Sequence, residues 1–241
     1  MLHRIVHAKV LNNAKPVLTQ KERISKESQL KVFIRQRKIE AAMKVFQTLM
    51  GSASACPHSS KDYYRSVRRL FKHEIKPLLE PTRMGSKTLL EYSRFMYENE
   101  EEVKCQRYFL RALKFYTHFL SYCDPFEANG IFQKDFDPDF LRIVVDIFQR
   151  TGELQTIQME LWALFCYSKS DCPQDLVSMG MTIANIYFRM NEGKRSLKEN
   201  RSLLRFISVN GGPQDKIPKI MEEIGQCHEL LGDTTLAIKT Y

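Results

Sequence analysis

Three stretches of the chain share one shape. FQRTGELQT (148–156), FRMNEGKRS (188–196) and ELLGDTTLA (229–237) each close an apolar helix end, turn at Gly or Asn, and open a new helix. From Gly152 to Glu192 to Gly232 the spacing is about 40 residues. Two helices per unit at that period is the pattern of an α-solenoid, because one hairpin cannot bury its own apolar stripe and must stack on neighbours. The expected fold is all-α, a right-handed α-solenoid of stacked helical hairpins; a non-repetitive helical bundle is the alternative. Composition agrees with helix: Gly (10) and Pro (9) are sparse in 241 residues, and Val-Ile-Thr alternation is rare. The 43% hydrophobic content and 15 Phe supply a core. No run approaches the ~18 apolar residues of a membrane span, so a soluble chain without one is expected.

The rest of the chain divides on the same terms. Residues 22–50 place Leu30, Phe33, Ile34, Ala41, Ala42, Val45, Phe46, Leu49 and Met50 at helical spacing, with a tight turn near Arg37-Lys38. GSASACPHSS (51–60) reads as a loop by composition, and PTRMGS (81–86) as a break. Lys87–Tyr97 and Val103–Tyr122 form a hairpin joined at Asn99-Glu100. The 123–139 segment reads as a loop whose Phe126, Ile131, Phe132 and Phe136 pin it to the body or dock a partner. Phe140–Arg150 with Leu154–Tyr167, and Gln174–Met190 with Gly193–Ile207, are the next pairs. Lys219–Leu231 begins a last pair. Tyr241 falls within its second helix, so a helical-repeat domain over 22–241 reads as cut short there, to be completed by more chain or by a partner.

Charge is unevenly spread. The net is +9, but residues 1–90 carry 19 Lys/Arg against 6 Asp/Glu, and residues 91–241 carry 18 against 22. The positive field belongs to the N-terminal third, as for a segment that meets an anionic partner. Its centre is Lys61–Lys76, KDYYRSVRRLFKHEIK. Wound as a single α-helix, Lys61, Arg65, Arg68, Arg69, Lys72 and Lys76 fall within an arc of about 100°. Tyr63, Val67, Leu70, Phe71 and Ile75 lie opposite. Only Asp62 sits near the cationic face, where an ordinary solvated helix mixes signs at i,i+4; the like-charge repulsion reads as uncompensated. A second stripe repeats the design: Lys104, Arg107, Arg111 and Lys114 project within about 80°. Phe109, Leu113, Tyr116 and Leu120 back it as core, and Tyr108 and Phe115 are candidate stacking platforms for bases. Arg195, Lys198, Arg201 and Arg205 form a third cluster among neighbours of both signs.

Residues 1–21 contain no acid and interleave Arg4, Lys9, Lys15 and Lys21 with Leu2, Ile5, Val6, Val10 and Leu11. Such a start is that of a mitochondrial targeting segment or of a basic first helix. Six cysteines at irregular spacing, with no C-x-x-C, fit a reducing compartment rather than a disulfide framework. Cys105, Cys166 and Cys227 fall in apolar helical pattern, as buried free thiols do. No catalytic motif is present. Cys56-Pro57-His58 is too little for zinc, and the cluster Glu98, Glu100, Glu101, Glu102 reads as helix-start chemistry. Neither an enzyme nor a cofactor is expected.

Ile224-Gly225-Gln226-Cys227-His228-Glu229-Leu230-Leu231-Gly232-Asp233, followed by Ala237 and Tyr241, resembles a tetratricopeptide repeat. QRKIEAAMKVFQTLM (36–50) is similar to the second helix of a pentatricopeptide repeat, with Ala42, Phe46 and Met50 at its packing positions. The resemblance to organellar pentatricopeptide-like proteins implies a mitochondrial-matrix protein that binds single-stranded RNA in mRNA processing, stability or translational activation. The alternatives are a tetratricopeptide-type scaffold with a protein partner on its concave face, and a structural subunit of a mitochondrial ribosome or other ribonucleoprotein.

Overall fold

The computed structural model describes residues 17–55, 61–124, 134–167 and 173–241. The targeting-type start through residue 16, Cys56-Pro57-His58, Phe126, Ile131, Phe132 and Cys172 lie outside the described residues, as do the side chains of Ser54, Ala55, Lys61 and Tyr167. Regular structure among the described residues is helical, with no strand. The α-helices are α1 (Gln20–Arg35), α2 (Ile39–Ala55), α3 (Lys61–Leu70), α4 (Arg83–Glu98), α5 (Glu102–Tyr122), α6 (Pro138–Arg150), α7 (Leu154–Tyr167), α8 (Pro173–Arg189), α9 (Gly193–Asn210), α10 (Ile217–Leu230) and α11 (Thr234–Thr240). They form two compact units, Met1–Tyr116 and Thr117–Tyr241, whose boundary falls inside α5.

Five helix-to-helix turns have the same construction. Arg37, Glu100, Gly152, Asn191 and Gly232 each adopt positive φ, between 55° and 81°. In each, the left-handed residue donates its N–H to the carbonyl three residues back, and the next residue donates to the carbonyl five back. The second bond (Lys38 to Phe33, Glu101 to Met96, Glu153 to Phe148, Glu192 to Tyr187, Asp233 to His228) measures 2.9 Å in all five. This is the Schellman closure, which satisfies the orphan carbonyls of the ending helix. Glycine enters the left-handed region freely, whereas Arg37 and Glu100 enter it at a cost of roughly 1 kcal/mol. The second repeat turn pivots on Asn191, one residue before Glu192.

Counted from the left-handed residue, one packing frame recurs. Seven positions earlier stand Leu30, Ser93, Val145, Ala184 and Gly225, all buried. Five positions later stand Ala42, Cys105, Ile157, Ser196 and Ala237, all buried. Nine positions later, Phe46, Phe109, Leu161 and Asn200 are buried. At the last hairpin that position is Tyr241, whose ring lies so close to Gly225 that a Cβ there would come within 2.5 Å of it. In the first unit α2 packs on α1, α3 and α4. In the second, each of α6 to α11 packs on the next, and α8 also reaches α10.

Three local expectations fail. The PTRMGS break closes at its second residue: Thr82 caps α4, its hydroxyl accepting the Gly85 N–H at 3.1 Å, and Arg83–Ser86 are already helical. The GSASA segment continues α2 instead of looping: Ser52 is buried and its hydroxyl accepts the Leu18 N–H at 2.9 Å. Small residues, read as loop-forming, serve here as close-packing ones. The basic segment is not one α-helix either. α3 ends at Leu70, a π-turn spans Phe71–Ile75, and a 3-10 turn spans Lys76–Leu78. Pro77 explains the break, since its ring excludes the carbonyl four residues earlier and it has no N–H to give. The Lys76 N–H instead reaches the Phe71 carbonyl, five residues back.

Candidate nucleic-acid interface

The inner face of α3 and its π-turn is apolar, which fixes where the cations go. Val67, Phe71 and Ile75 are fully buried. The Tyr63 hydroxyl donates to the Leu49 carbonyl at 2.9 Å, and the Arg23 guanidinium lies 3.9 Å from the Tyr63 ring centroid. Phe71 stacks on Tyr92 at 3.5 Å between centroids, and Tyr108 meets both rings edge-on at 5.3 and 4.8 Å. Tyr108 is therefore engaged in the aromatic core rather than free as a platform for a base. Phe115 carries the Arg111 guanidinium 5.2 Å from its ring centroid.

The two cationic stripes meet at one carboxylate. Glu101, on the turn between α4 and α5, accepts the Tyr64 hydroxyl at 2.9 Å and Arg68 Nη1 at 2.6 Å on Oε1. Its Oε2 takes the Lys104 ammonium. Arg68 also lies 5.3 Å from the Tyr64 ring centroid. Burial alone would push the Glu101 carboxyl up, but the hydrogen bonds from Lys104 and Tyr64 and the Arg68 charge hold it below the ordinary carboxylate value. Burial and the hydrogen bond to Glu101 push the Tyr64 phenol up to about 12. Repulsion along the basic segment is thus compensated in part, by Asp62 toward Arg65 (3.3 Å, both exposed) and by Glu101 toward Arg68 and Lys104.

What remains outward is a shorter list than the stripe suggested. Arg69, Lys72, Lys76 and Arg107 are exposed and form no ion pair among the described residues. Lys114 is exposed and Arg111 half-buried. Lys61 opens α3. Because Lys72 lies on the π-turn and Lys76 opens the 3-10 turn, they do not continue the α-helical arc of Arg65, Arg68 and Arg69. Sequence reasoning missed Glu101 as the junction of the stripes; its partners Tyr64 and Arg68 lie 37 and 33 residues away, beyond the reach of any local pattern.

The third cluster differs in kind. Arg195 pairs with Glu192 at 2.8 Å, and Arg201 Nη2 lies 3.4 Å from His228 Nε2. Here the second unit has an open groove of about 340 Å³ between α6, α8 and α10. Leu141, Val145 and Met181 line it with Arg142, Lys219 and Glu223. Burial pushes the Glu223 carboxyl up to about 7 against the pull of Lys219. Beside it Asn200 is fully buried, with both amide atoms lacking a hydrogen bond of ordinary geometry.

The thiols divide as well. Cys105 and Cys227 are buried, and burial pushes Cys105 up to about 12. Cys166, expected in the core, is exposed because it faces away from the buried row Leu154, Ile157, Leu161 and Leu164 of α7. Among the described residues no group of three or more His, Cys, Asp or Glu is placed to hold a metal ion, and no helix is long and apolar enough to cross a membrane. Compared with known proteins, the chain matches no family model, and no curated protein matches it significantly.

Proposed function

We propose that the chain is a helical-repeat RNA-binding protein of the mitochondrial matrix, built as a right-handed solenoid and acting in organellar mRNA processing, stability or translational activation. One observation carries the reading: in a unit with 24 Lys/Arg against 11 Asp/Glu, the outward face of α3 and its π-turn leaves Arg69, Lys72 and Lys76 exposed without ion pairs among the described residues. A polyanion offsets the repulsion that such a face retains. Arg donates to phosphate through a planar fork, while Lys acts as a point charge. The recurring five-turn frame supports the repeat architecture, and the tetratricopeptide- and pentatricopeptide-like segments support its class.

Retention of single-stranded RNA at stepped salt tests it. Four phosphate contacts give a log–log slope near −3. Undetectable binding at low salt, or binding unchanged by reversal of Arg65, Arg68, Arg69 and Lys72 to Glu, sinks the RNA reading at this face. A fluorescent fusion of residues 1–40 tests the address; a diffuse cytosolic signal counts against the matrix.

The groove of the second unit favours a second reading, a protein-interaction scaffold that takes a peptide or a ribosomal protein there. Its lining of apolar residues beside charges of both signs suits a peptide better than a tract of phosphates.

A further inference from the structure

The contact at Glu101 has the donor set of an anion site. A phenol, a guanidinium and an ammonium from two helices converge on one group: Tyr64 at 2.9 Å, Arg68 at 2.6 Å, and Lys104. The anion they hold is the chain's own. Glu101 directly follows the left-handed Glu100, at the hairpin turn, and its side chain keeps a quarter of its surface open (25%). Arg68 and Lys104 keep 37% each. Phosphate oxygens accept from the same donors in the same way a carboxylate does. With Glu101 in place the cluster of Arg68, Lys104 and Glu101 carries a net charge of +1; with the carboxylate displaced, its two cations are available.

We propose that Glu101 plugs a phosphate subsite formed by Tyr64, Arg68 and Lys104, and that an RNA phosphate enters it by exchanging with that carboxylate. The inference rests on the RNA-binding reading and adds its regulation. Glu101 sets the threshold: weak or sparse anions leave the plug in place. A strand already held by Arg69, Lys72 and Lys76 presents phosphates at high local concentration and displaces it. The exchange moves no proton and breaks no covalent bond.

Glu101→Gln keeps the shape and removes the charge. Its affinity for single-stranded RNA rises about tenfold, because the entering phosphate no longer has a carboxylate to displace. Glu100→Gln, next door and exposed, controls for bulk charge and stays within about twofold. Adding Arg68→Gln to Glu101→Gln abolishes the gain. A Glu101→Gln effect no larger than that of Glu100→Gln overturns the proposal, as does a loss of affinity, which makes Glu101 only a brace for Arg68. Circular dichroism confirms that each variant is folded.

Inorganic phosphate separates this from the RNA reading. In Glu101→Gln, millimolar phosphate shifts the Tyr64 ring and Arg68 Nε resonances; in the unaltered chain it does not. Should neither protein hold RNA while the phosphate shifts appear, the RNA reading falls and the subsite stands. Unmoved Tyr64 and Arg68 resonances in Glu101→Gln overturn the subsite whatever RNA does.

Discussion

The two units share a backbone device and differ in surface. Both close their hairpins with the same left-handed residue and the same 2.9 Å return bond. Yet Met1–Tyr116 carries 24 basic residues against 11 acidic, and Thr117–Tyr241 carries 13 against 17. In the second unit four exposed or half-buried cations are matched: Arg142 with Asp139, Arg189 with Asp146, Arg195 with Glu192, Lys216 with Asp215. In the first, Arg69, Lys72 and Lys76 have no such partner among the described residues. The frame is therefore set by buried positions, while the exposed positions are free to differ in charge. If so, mutations in the frame act alike in both units, and mutations of surface charge do not.

The largest expected effect tests the shared frame. Phe46 and Leu161 occupy the same position, nine residues after Arg37 and Gly152, and are 0% and 1% exposed. Phe46→Ala costs about 3–5 kcal/mol and Leu161→Ala about 2–5 kcal/mol of unfolding free energy, from lost transfer and the cavity left behind. Urea denaturation of both variants checks this. A cost under about 1 kcal/mol at either site breaks the equivalence.

Next comes surface charge. Reversing Arg65, Arg68, Arg69 and Lys72 to Glu lowers affinity for single-stranded RNA by about a hundredfold or more at ~0.1 M salt. The same reversal at Arg195, Lys198, Arg201 and Arg205 changes it by less than about threefold. Equal losses in a filter-binding comparison would erase the distinction between the units.

Some of this was legible beforehand. The turns at Gly152 and Gly232, and the one beside Asn191, announced themselves through residues that tolerate positive φ. The α7 bounds, Leu154–Tyr167, followed from apolar spacing alone. The π-turn did not follow. Pro77 was visible as a stop, but its clash acts four residues upstream, at the carbonyl of His73, so the register changed inside what read as a continuous stripe. Nor did the Glu101 junction, which joins residues brought together only by hairpin packing. Charge patterning put the excess of cations in residues 1–90, yet could not say that Arg68 and Lys104 share an internal counter-ion while Arg69 does not. Ser52 shows the same limit from the apolar side: composition suggested a loop, and a single N–H from Leu18 made its burial tolerable.

Two carboxylates give the units opposite responses to pH. Burial raises Glu223 to about 7, so the folded state holds its proton where the unfolded chain has released it. Its contribution is fully present below the unfolded value of 4.5 and is lost as pH rises to about 7, on the order of 2 kcal/mol. Glu101 is lowered, so its contribution is present above the unfolded value and is lost as pH falls through the folded one. Glu223→Gln removes the decline between pH 5 and 7 in denaturation midpoints, whereas Glu101→Gln leaves it intact. A wild-type curve flat over that range contradicts the assignment to Glu223.

The smallest effect falls where the frame itself departs from its pattern. Asn200 stands nine residues after Asn191, the position filled by Phe46, Phe109 and Leu161 in other hairpins, and it is 0% exposed. Neither its amide nitrogen nor its oxygen has a hydrogen-bond partner of ordinary geometry. A buried amide so poorly paired costs up to about 1–3 kcal/mol in desolvation, and an apolar group of similar volume carries no such penalty. Asn200→Leu is therefore expected to raise unfolding free energy by about 1 kcal/mol, part of the gain being offset by the fit beside Cys227 and Glu223. It also leaves Glu223 with one polar neighbour fewer, since Asn200 opposes the upward shift of that carboxyl. The decline in stability between pH 5 and 7 should then steepen. A destabilised Asn200→Leu with an unchanged pH profile means that the amide is satisfied in solution, and that this hairpin departs from the shared frame by design of its polar seam rather than by an unfilled apolar position.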